Sequence, residues 1–250
     1  MIETLEEMGG SRLAPHQELG FTCRPGLACF GACCRDKRLP LWPYDSLRLG
    51  RALGLAAEEF LATWAELEED PRSGWPALRI KLTPEGICPF LGEDGCRVYA
   101  DRPACCRIYP LAWAVAAGEP DGEPRQVYLR VAAPGCLGWD QAAGPTVAEW
   151  VAGQGLLPFQ AANLRLLGLL MHPARRGRVR LTPPQTHAYL AALYNPAAFR
   201  PLVADPAFAA RFGLPTERVA RALADDEELI HLGQDWLAGQ FFGAAAADRP

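Results

Sequence analysis

Nine cysteines carry the most distinctive chemistry that this 250-residue chain can perform. Four of them fall within the stretch from Phe21 to Arg35, and five follow downstream. Two pairs of cysteines are adjacent in the sequence, Cys33 with Cys34 and Cys105 with Cys106. Thiolates are soft, anionic ligands that suit zinc and iron–sulfur clusters, and grouped thiols reduce the entropy needed to assemble a site. The spacing therefore predicts a metal site that is built from some or all of these side chains: Cys23, Cys29, Cys33, Cys34, Cys88, Cys96, Cys105, Cys106 and Cys136.

A disulfide framework is the alternative interpretation of so many cysteines. The first residues, MIETLEEMGG, carry acids and lack the positive start and apolar run of a secretory signal, so we expect a cytoplasmic, reducing location. Clustered cysteines in that compartment indicate metal or redox chemistry. The number of cysteines is odd, and neighbours such as Cys33 and Cys34 bridge each other only with strain. Nine thiols are enough for two four-ligand sites with one thiol left over.

Basic residues accompany the thiols in a chain whose net charge is −4. Four thiolates leave a charge of about −2 on either Zn²⁺ or a [4Fe–4S]²⁺ core, so we expect Arg35 and Arg107 to stabilise an anionic centre. The acidic balance of the whole chain argues against nucleic acid or an anionic membrane as the main partner. The longest apolar stretch, 155–171, is interrupted by polar residues and by proline, which argues against a transmembrane span.

The elements that must position the thiols are predicted from hydrophobic spacing and from turn residues. Half of the residues are hydrophobic, so the chain can bury a core without disulfides. Apolar residues at helical spacing predict helices that start at Pro43 and at Ala56, the second one over residues 56–68. Alternating patterns predict strands at 78–82, 87–91 and 96–99, and a hairpin of 111–117 with 126–132. Further helices are predicted over 147–153, 158–171, 184–193, 196–212 and 216–242, the last one interrupted near residues 225 and 226.

These elements predict an α+β fold in two parts. Residues 1–140 would form a cysteine-cluster metal-binding domain of helices and short strands. Residues 141–250, which contain no cysteine, would form a mainly helical C-terminal region.

The cysteine groups also carry a family resemblance. The string F-x-C…C-x-x-x-C-C-R is followed by C-P-F-L…G-C-x-x-Y and then by R-P-x-x-C-R-x-Y-P. Over residues 21–140 this resembles the YkgJ-like cysteine-cluster family, a zinc- or iron-chelating domain. The resemblance implies eight metal ligands: Cys23, Cys29, Cys33, Cys34, Cys88, Cys96, Cys106 and Cys136.

Two positions depart from the pattern of that family. The gap between Cys23 and Cys29 is longer than the two-residue gap of the family, and Cys105 stands where the family has another residue. The resemblance therefore implies that Cys105 is the spare thiol. A cofactor follows from the resemblance, namely an iron–sulfur cluster or zinc, with iron–sulfur favoured slightly.

The activity stays open at this point, and three hypotheses compete. The first is a cytoplasmic metal-binding cysteine-cluster protein of undefined activity. The second is a structural zinc module whose helical region binds an unknown protein partner. The third is a redox or methyl-transfer enzyme that uses the metal centre, although no glycine-rich loop for S-adenosylmethionine is visible in the sequence.

Overall fold

A computed structural model describes residues 11–71, 73–116, 125–131, 133–139, 144–172 and 180–243. Within these ranges helices combine with short antiparallel strands, which confirms the α+β class. The chain divides into two compact units that are discontinuous in sequence, 1–37 with 82–158 and 38–81 with 159–250. The predicted boundary at residue 140 falls in a segment outside the described ranges, and it stays a prediction.

The first unit is built around a three-stranded antiparallel sheet in the order β1 (Arg12–Leu13), β8 (Arg125–Arg130), β7 (Leu111–Ala116). Trp113 pairs with Tyr128 in its β7–β8 hairpin, which confirms the hairpin prediction for the described residues. A second, two-stranded ladder pairs β5 with β6, and 3-10 turns cover Ala32–Cys34 and Tyr99–Asp101. The elements are β1 Arg12–Leu13, β5 Leu91–Gly92, β6 Gly95–Cys96, α3 Ala104–Ile108, β7 Leu111–Ala116, β8 Arg125–Arg130 and α4 Val147–Gly153.

Aromatic side chains form the core of the first unit around Phe21, which is 2% exposed. Its ring meets those of Trp139, Trp150 and Tyr109 edge to face, at centroid distances of 5.0, 5.6 and 6.1 Å. This arrangement suits the quadrupoles of the rings. Because Phe21 lies two residues before Cys23, the core anchors the start of the first cysteine group.

The second unit contains a sheet in the order β2 (Pro40–Leu41), β4 (Pro76–Ile80), β3 (Ala65–Glu69), together with the remaining helices. Its helix starts follow the sequence: Pro43 stands in the first turn of α1, and Asp225 caps α10 by accepting from the backbone N–H groups of Glu227 and Glu228 at 2.8 and 3.1 Å. The elements are β2 Pro40–Leu41, α1 Pro43–Leu53, α2 Ala57–Trp64, β3 Ala65–Glu69, β4 Pro76–Ile80, α6 Pro183–Tyr194, α7 Pro196–Ala204, α8 Pro206–Phe212, α9 Thr216–Ala224 and α10 Asp226–Phe242; α5 covers Leu157–Leu170.

The helix predicted over residues 56–68 is wrong in its last turn. Residues Ala65–Glu69 form strand β3, which pairs with β4 along its whole length. Arg79 explains part of this choice, because it makes ion pairs with Glu66 at 2.9 Å and with Glu68 at 3.3 Å across the ladder. Strand pairing has overridden the helical preference of an acidic, Leu-containing segment.

Three other predicted elements need correction. The helix predicted over 196–212 is divided at Asp205, which caps α8 by accepting from Ala207 N–H at 2.9 Å; Pro206 follows and cannot continue α7. The strands predicted at 87–91 and 96–99 shrink to two residues each. The backbone N–H of Leu91 bonds the carbonyl of Cys88 at 3.0 Å, so this segment turns instead of extending.

His231 on α10 gives the second unit an expected pH dependence. Burial lowers the pKa of His231 below its usual value, and the Arg165 guanidinium lowers it further against the opposing carboxylates of Glu227, Glu228 and Asp235. The unfolded chain therefore takes up this proton at a higher pH than the folded chain. We expect the free energy of unfolding to keep its highest value, as far as His231 determines it, above about pH 6.5. It should fall as the pH drops below that value.

Urea unfolding over a pH series checks this expectation. His231→Gln is expected to flatten the slope of unfolding free energy against pH below about pH 6.5. The wild-type protein in the same pH series is the reference. An identical slope for the wild type and His231→Gln would show that His231 does not titrate on unfolding.

Candidate metal centre

The first cysteine group lies on a loop of successive tight turns. Ala32 N–H bonds the carbonyl of Cys29 at 3.0 Å, and Cys34 N–H bonds that of Gly31 at 3.0 Å. Gly31 has a φ of 79°, a left-handed conformation that favours glycine. These turns place Cys29, Cys33 and Cys34 close together, although most of the loop is exposed.

Four of the predicted ligands line one cavity of about 60 Å³ in the first unit. We call Cys23, Cys29, Cys33 and Cys136 the pocket group. Cys136 follows a turn in which its N–H bonds the carbonyl of Ala133 at 3.2 Å. The next residue, Leu137, donates its N–H to the sulfur of Cys29 at 3.2 Å. The segment that carries Cys136 is thus joined directly to the first loop at the sulfur atom of Cys29.

Gly138 allows the two segments of the pocket group to approach. Thr22 N–H bonds the Gly138 carbonyl at 2.9 Å. A Cβ at residue 138 would lie 2.5 Å from the Phe21 ring and 2.8 Å from the carbonyl oxygen of Thr22. Only glycine fits this contact without a shift of the backbone.

The other four predicted ligands form a second set, the knuckle group: Cys34, Cys88, Cys96 and Cys106. The N–H of Cys88 bonds the carbonyl of Cys34 at 2.8 Å, which joins the loop to the segment before β5. Cys96 ends β6 and pairs with Leu91 across the β5–β6 ladder. Cys106 lies on α3. The charges of these thiols act on one another, since Cys88 and Cys106 both raise the pKa of Cys34.

Backbone amides point at two sulfur atoms of the knuckle group. Phe90 N–H donates to Cys88 and Val98 N–H donates to Cys96, in each case from two residues further along the chain. Such bonds lower the pKa of a thiol because they stabilise its anion. They are also the kind of outer contact that orients a metal-binding sulfur.

Burial opposes ionisation of the same thiols in the absence of metal. It raises the pKa of Cys88 to about 11, with smaller contributions from Cys106 and Cys96. Burial also raises the pKa of Cys96, which Arg102 partly counteracts. In the pocket group, burial and then the charges of Cys33, Cys29 and Cys136 raise the pKa of Cys23. A cation among the sulfurs would remove the mutual repulsion in both groups.

Cys33 and Cys34 behave as a proton-sharing pair where the two groups meet. The hydrogen bond from Cys34 lowers the pKa of Cys33 to about 6, and Lys37 also lowers it. The same bond raises the pKa of Cys34. The hydrogen bond therefore favours the thiolate form of Cys33 over that of Cys34, and a thiolate is the form that binds metal.

The arginines around the knuckle group have distinct roles. Arg107 is 6% exposed and donates to the backbone carbonyls of Arg102 at 2.8 Å, of Gln154 at 2.9 Å and of Ala100. It therefore fixes the backbone around α3, and its expected role in charge compensation stays a prediction. Arg102 has a direct electrostatic effect on a thiol, that of Cys96, and its guanidinium lies 3.7 Å from the centroid of the Tyr99 ring.

Geometry alone does not separate Cys105 from the predicted ligands. Its sulfur lies 3.9 Å from that of Cys106, the next residue on α3. The prediction that Cys105 is the spare thiol, together with the predicted set of eight ligands, is therefore left to experiment.

The residues fit a thiolate-bound metal in type and number. All nine cysteines are free thiols, and eight of them fall into the two groups of four. Within the part of the chain that the structure describes, no three side chains of Cys, His, Asp or Glu already stand at metal-holding distances. Binding would therefore require rotation of cysteine side chains, whose single χ1 angle sets the sulfur position, to reach about 2.3 Å from a zinc ion.

Comparison with known proteins identifies the cysteine-rich segment. Residues 22–136 match the family model CxxCxxCC, described as a "putative zinc- or iron-chelating domain". The match contains all nine cysteines. Neither the curated proteins nor the solved structures give a match. Among the described residues no helix is long and apolar enough to cross a membrane. Over residues 22–136, just under half of its length, the chain is similar to the CxxCxxCC family model.

Proposed function

We propose that this protein binds metal at two four-cysteine sites, the pocket group and the knuckle group. The observation that carries the proposal is the arrangement of eight thiols in two sets of four, which the hydrogen bond between Cys33 and Cys34 links to each other. The pocket group shares one cavity, and the charges of its other three thiols all act on Cys23. In the knuckle group, Cys106 acts on Cys34, Cys88 and Cys96.

Each site would join segments that are far apart in sequence. The pocket group closes the loop from Cys23 to Cys136, and the knuckle group joins Cys34 to Cys106. Four deprotonated sulfurs complete a tetrahedral zinc site or hold a four-iron cluster. Bound zinc would supply a rigid cross-link, and an iron–sulfur cluster would also supply one-electron redox chemistry.

The metal we favour is iron, in iron–sulfur clusters, with zinc as the alternative. Adjacent cysteines and nearby guanidinium groups suit an anionic cluster, and Arg102 provides such a charge beside Cys96. A reducing, cytoplasmic location agrees with nine free thiols. We place neither nucleic acid nor a membrane among the partners. Two alternatives depend on which metal is bound. One is a structural zinc module whose helical region binds a protein partner, and the other is a redox or methyl-transfer enzyme.

Anaerobic isolation identifies the metal. We expect protein that absorbs near 400 nm and contains iron and acid-labile sulfide. Colourless protein with stoichiometric zinc would exclude the iron version and would support structural cross-linking. Protein that contains neither metal, and that binds neither on reconstitution, would contradict the proposed function as a whole.

A further inference from the structure

The two proposed cysteine sites differ in their access to solvent. In the pocket group, Cys23 and Cys33 are exposed, and Cys29 and Cys136 are half-buried. The four thiols of the knuckle group are half-buried or buried, and Cys88 has only 6% of its surface accessible. A reagent in solution therefore reaches two sulfurs of the pocket group more easily than it reaches those of the knuckle group.

Packing of the cysteine loop on the β5–β6 ladder explains this difference. Phe30 of the loop lies against the turn of the ladder, since a Cβ at Gly95 would be 3.2 Å from its ring. Leu91 of β5 lies against the loop, since a Cβ at Gly31 would be 3.4 Å from its side chain. One face of the loop thus packs on the ladder that carries Cys96. The thiols that the loop leaves exposed belong to the pocket group.

The cavity of the pocket group has room for an incoming sulfur atom. Its volume of about 60 Å³ is several times the roughly 10–15 Å³ that one water molecule needs. Lys37, which is exposed, lines the cavity together with Cys23 and Cys33. An ammonium group stabilises a nearby thiolate, and the thiolate is the form of an incoming thiol that binds metal.

We propose that the pocket group holds its metal as an exchangeable cargo and passes it to small thiols, with the help of Lys37, whereas the knuckle group retains its metal. This proposal rests on the proposed function, in which both groups bind metal. An acceptor thiol would replace the thiolate of Cys23 or Cys33. One metal–sulfur bond forms as another breaks, the proton of the acceptor thiol passes to the released cysteine, and no electron is transferred. Repetition of this step at the other sulfurs transfers the metal to the acceptor.

Metal release from two matched variants of the full chain measures the difference. Cys88→Ser keeps all four thiols of the pocket group, and Cys136→Ser keeps all four of the knuckle group. The anaerobically isolated proteins are mixed with glutathione and a coloured chelator, 4-(2-pyridylazo)resorcinol for zinc or bathophenanthroline for iron. We expect release from Cys88→Ser to be about tenfold faster than from Cys136→Ser, and to rise with the glutathione concentration.

Two kinds of failure can be distinguished in this experiment. Equal rates, or faster release from the knuckle group, would overturn the exchange proposal and leave binding at two sites intact. Protein that holds no metal in either variant or in the wild type would contradict the proposed function itself, and the exchange proposal with it.

Alkylation of the wild-type protein provides a test that needs no variant. Samples taken at intervals during glutathione treatment are pulsed with N-ethylmaleimide, and the modified cysteines are identified by mass spectrometry. Cys23 and Cys33 are expected to be modified first, as the first metal is released. Cys88 and Cys96 should stay protected until the second metal leaves. Simultaneous modification of both pairs would contradict the proposal.

Lys37→Gln tests the group assigned to the incoming thiol. We expect this variant to slow glutathione-driven release several-fold, measured per metal bound. Lys81→Gln is the matched control, because Lys81 is exposed in the second unit and is not among the residues that line the cavity. Equal release rates in the two lysine variants would overturn the role of Lys37.

Discussion

Removal of the metal is expected to unfold the cysteine loop and to loosen the rest of residues 22–136. Between Thr22 and Lys37 the chain has one short 3-10 turn and mostly exposed side chains, so little apolar burial holds it. Structural zinc contributes about 10–16 kcal/mol in zinc-finger peptides, as much as the whole stability of a typical domain. The loop therefore has little to replace that contribution.

Hydrogen exchange with mass spectrometry, before and after chelation under reducing conditions, measures this effect. Peptides from residues 22–37 and 88–106 are expected to lose protection strongly. Peptides from α6 and α10 contain no cysteine and serve as the internal control, with a much smaller change. Restoring the metal should restore protection. Unchanged exchange in residues 22–37 after verified loss of the metal would mean that the metal does not hold the loop.

Gly138→Ala is expected to disrupt the pocket group almost as strongly as removal of a ligand. The new Cβ would overlap the ring of Phe21 and the carbonyl oxygen of Thr22, and neither can yield easily. Phe21 is buried among three other aromatic rings, and the Thr22 carbonyl belongs to the backbone that leads to Cys23. Overpacking of this kind typically costs about 1–3 kcal/mol.

Metal content and thermal unfolding of Gly138→Ala check this expectation. We expect loss of the metal of the pocket group and a lower melting temperature. Gly153→Ala is the matched control, because Gly153 ends α4 and no atom lies within 4 Å of its missing Cβ. Full metal content in Gly138→Ala would show that the approach of Thr22 to Gly138 is not needed for binding.

Much of the fold is visible in the sequence because local signals agree with the tertiary structure. Pro43, the hairpin of β7 and β8, and the interruption at Asp225 all occur where turn chemistry or periodicity indicates them. The failure at strand β3 has a tertiary cause. Strand β3 has a helical composition, and only its pairing with β4, which includes the ion pairs of Arg79, makes it a strand.

The proposed metal ligands can be named from the sequence, but their proposed grouping cannot. The cysteines are evident from residue type, whereas their division into two groups depends on contacts over long sequence distances. Leu137 N–H meets the sulfur of Cys29 across 108 residues, and no local pattern indicates that contact. The steric need for Gly138 depends equally on Phe21, which is distant in sequence.

The effect of Arg102 on Cys96 was also outside the sequence-based expectation, which singled out Arg35 and Arg107. Residue type and proximity to a cysteine do not distinguish these arginines. For Arg102 and Arg107, the short helix α3 and the 3-10 turn before it determine which groups each side chain reaches.

The central claim is that eight thiols form two separate metal sites, and metal counting in matched cysteine variants tests it most directly. Cys136→Ser and Cys88→Ser each remove one ligand, from the pocket group and the knuckle group respectively. Each is expected to lose the metal of its own group and to keep that of the other. The double variant should lose both, and Cys105→Ser should keep the full content. Complete loss in either single variant, or equal losses in Cys105→Ser and Cys106→Ser, would contradict two sites with Cys105 as the spare thiol.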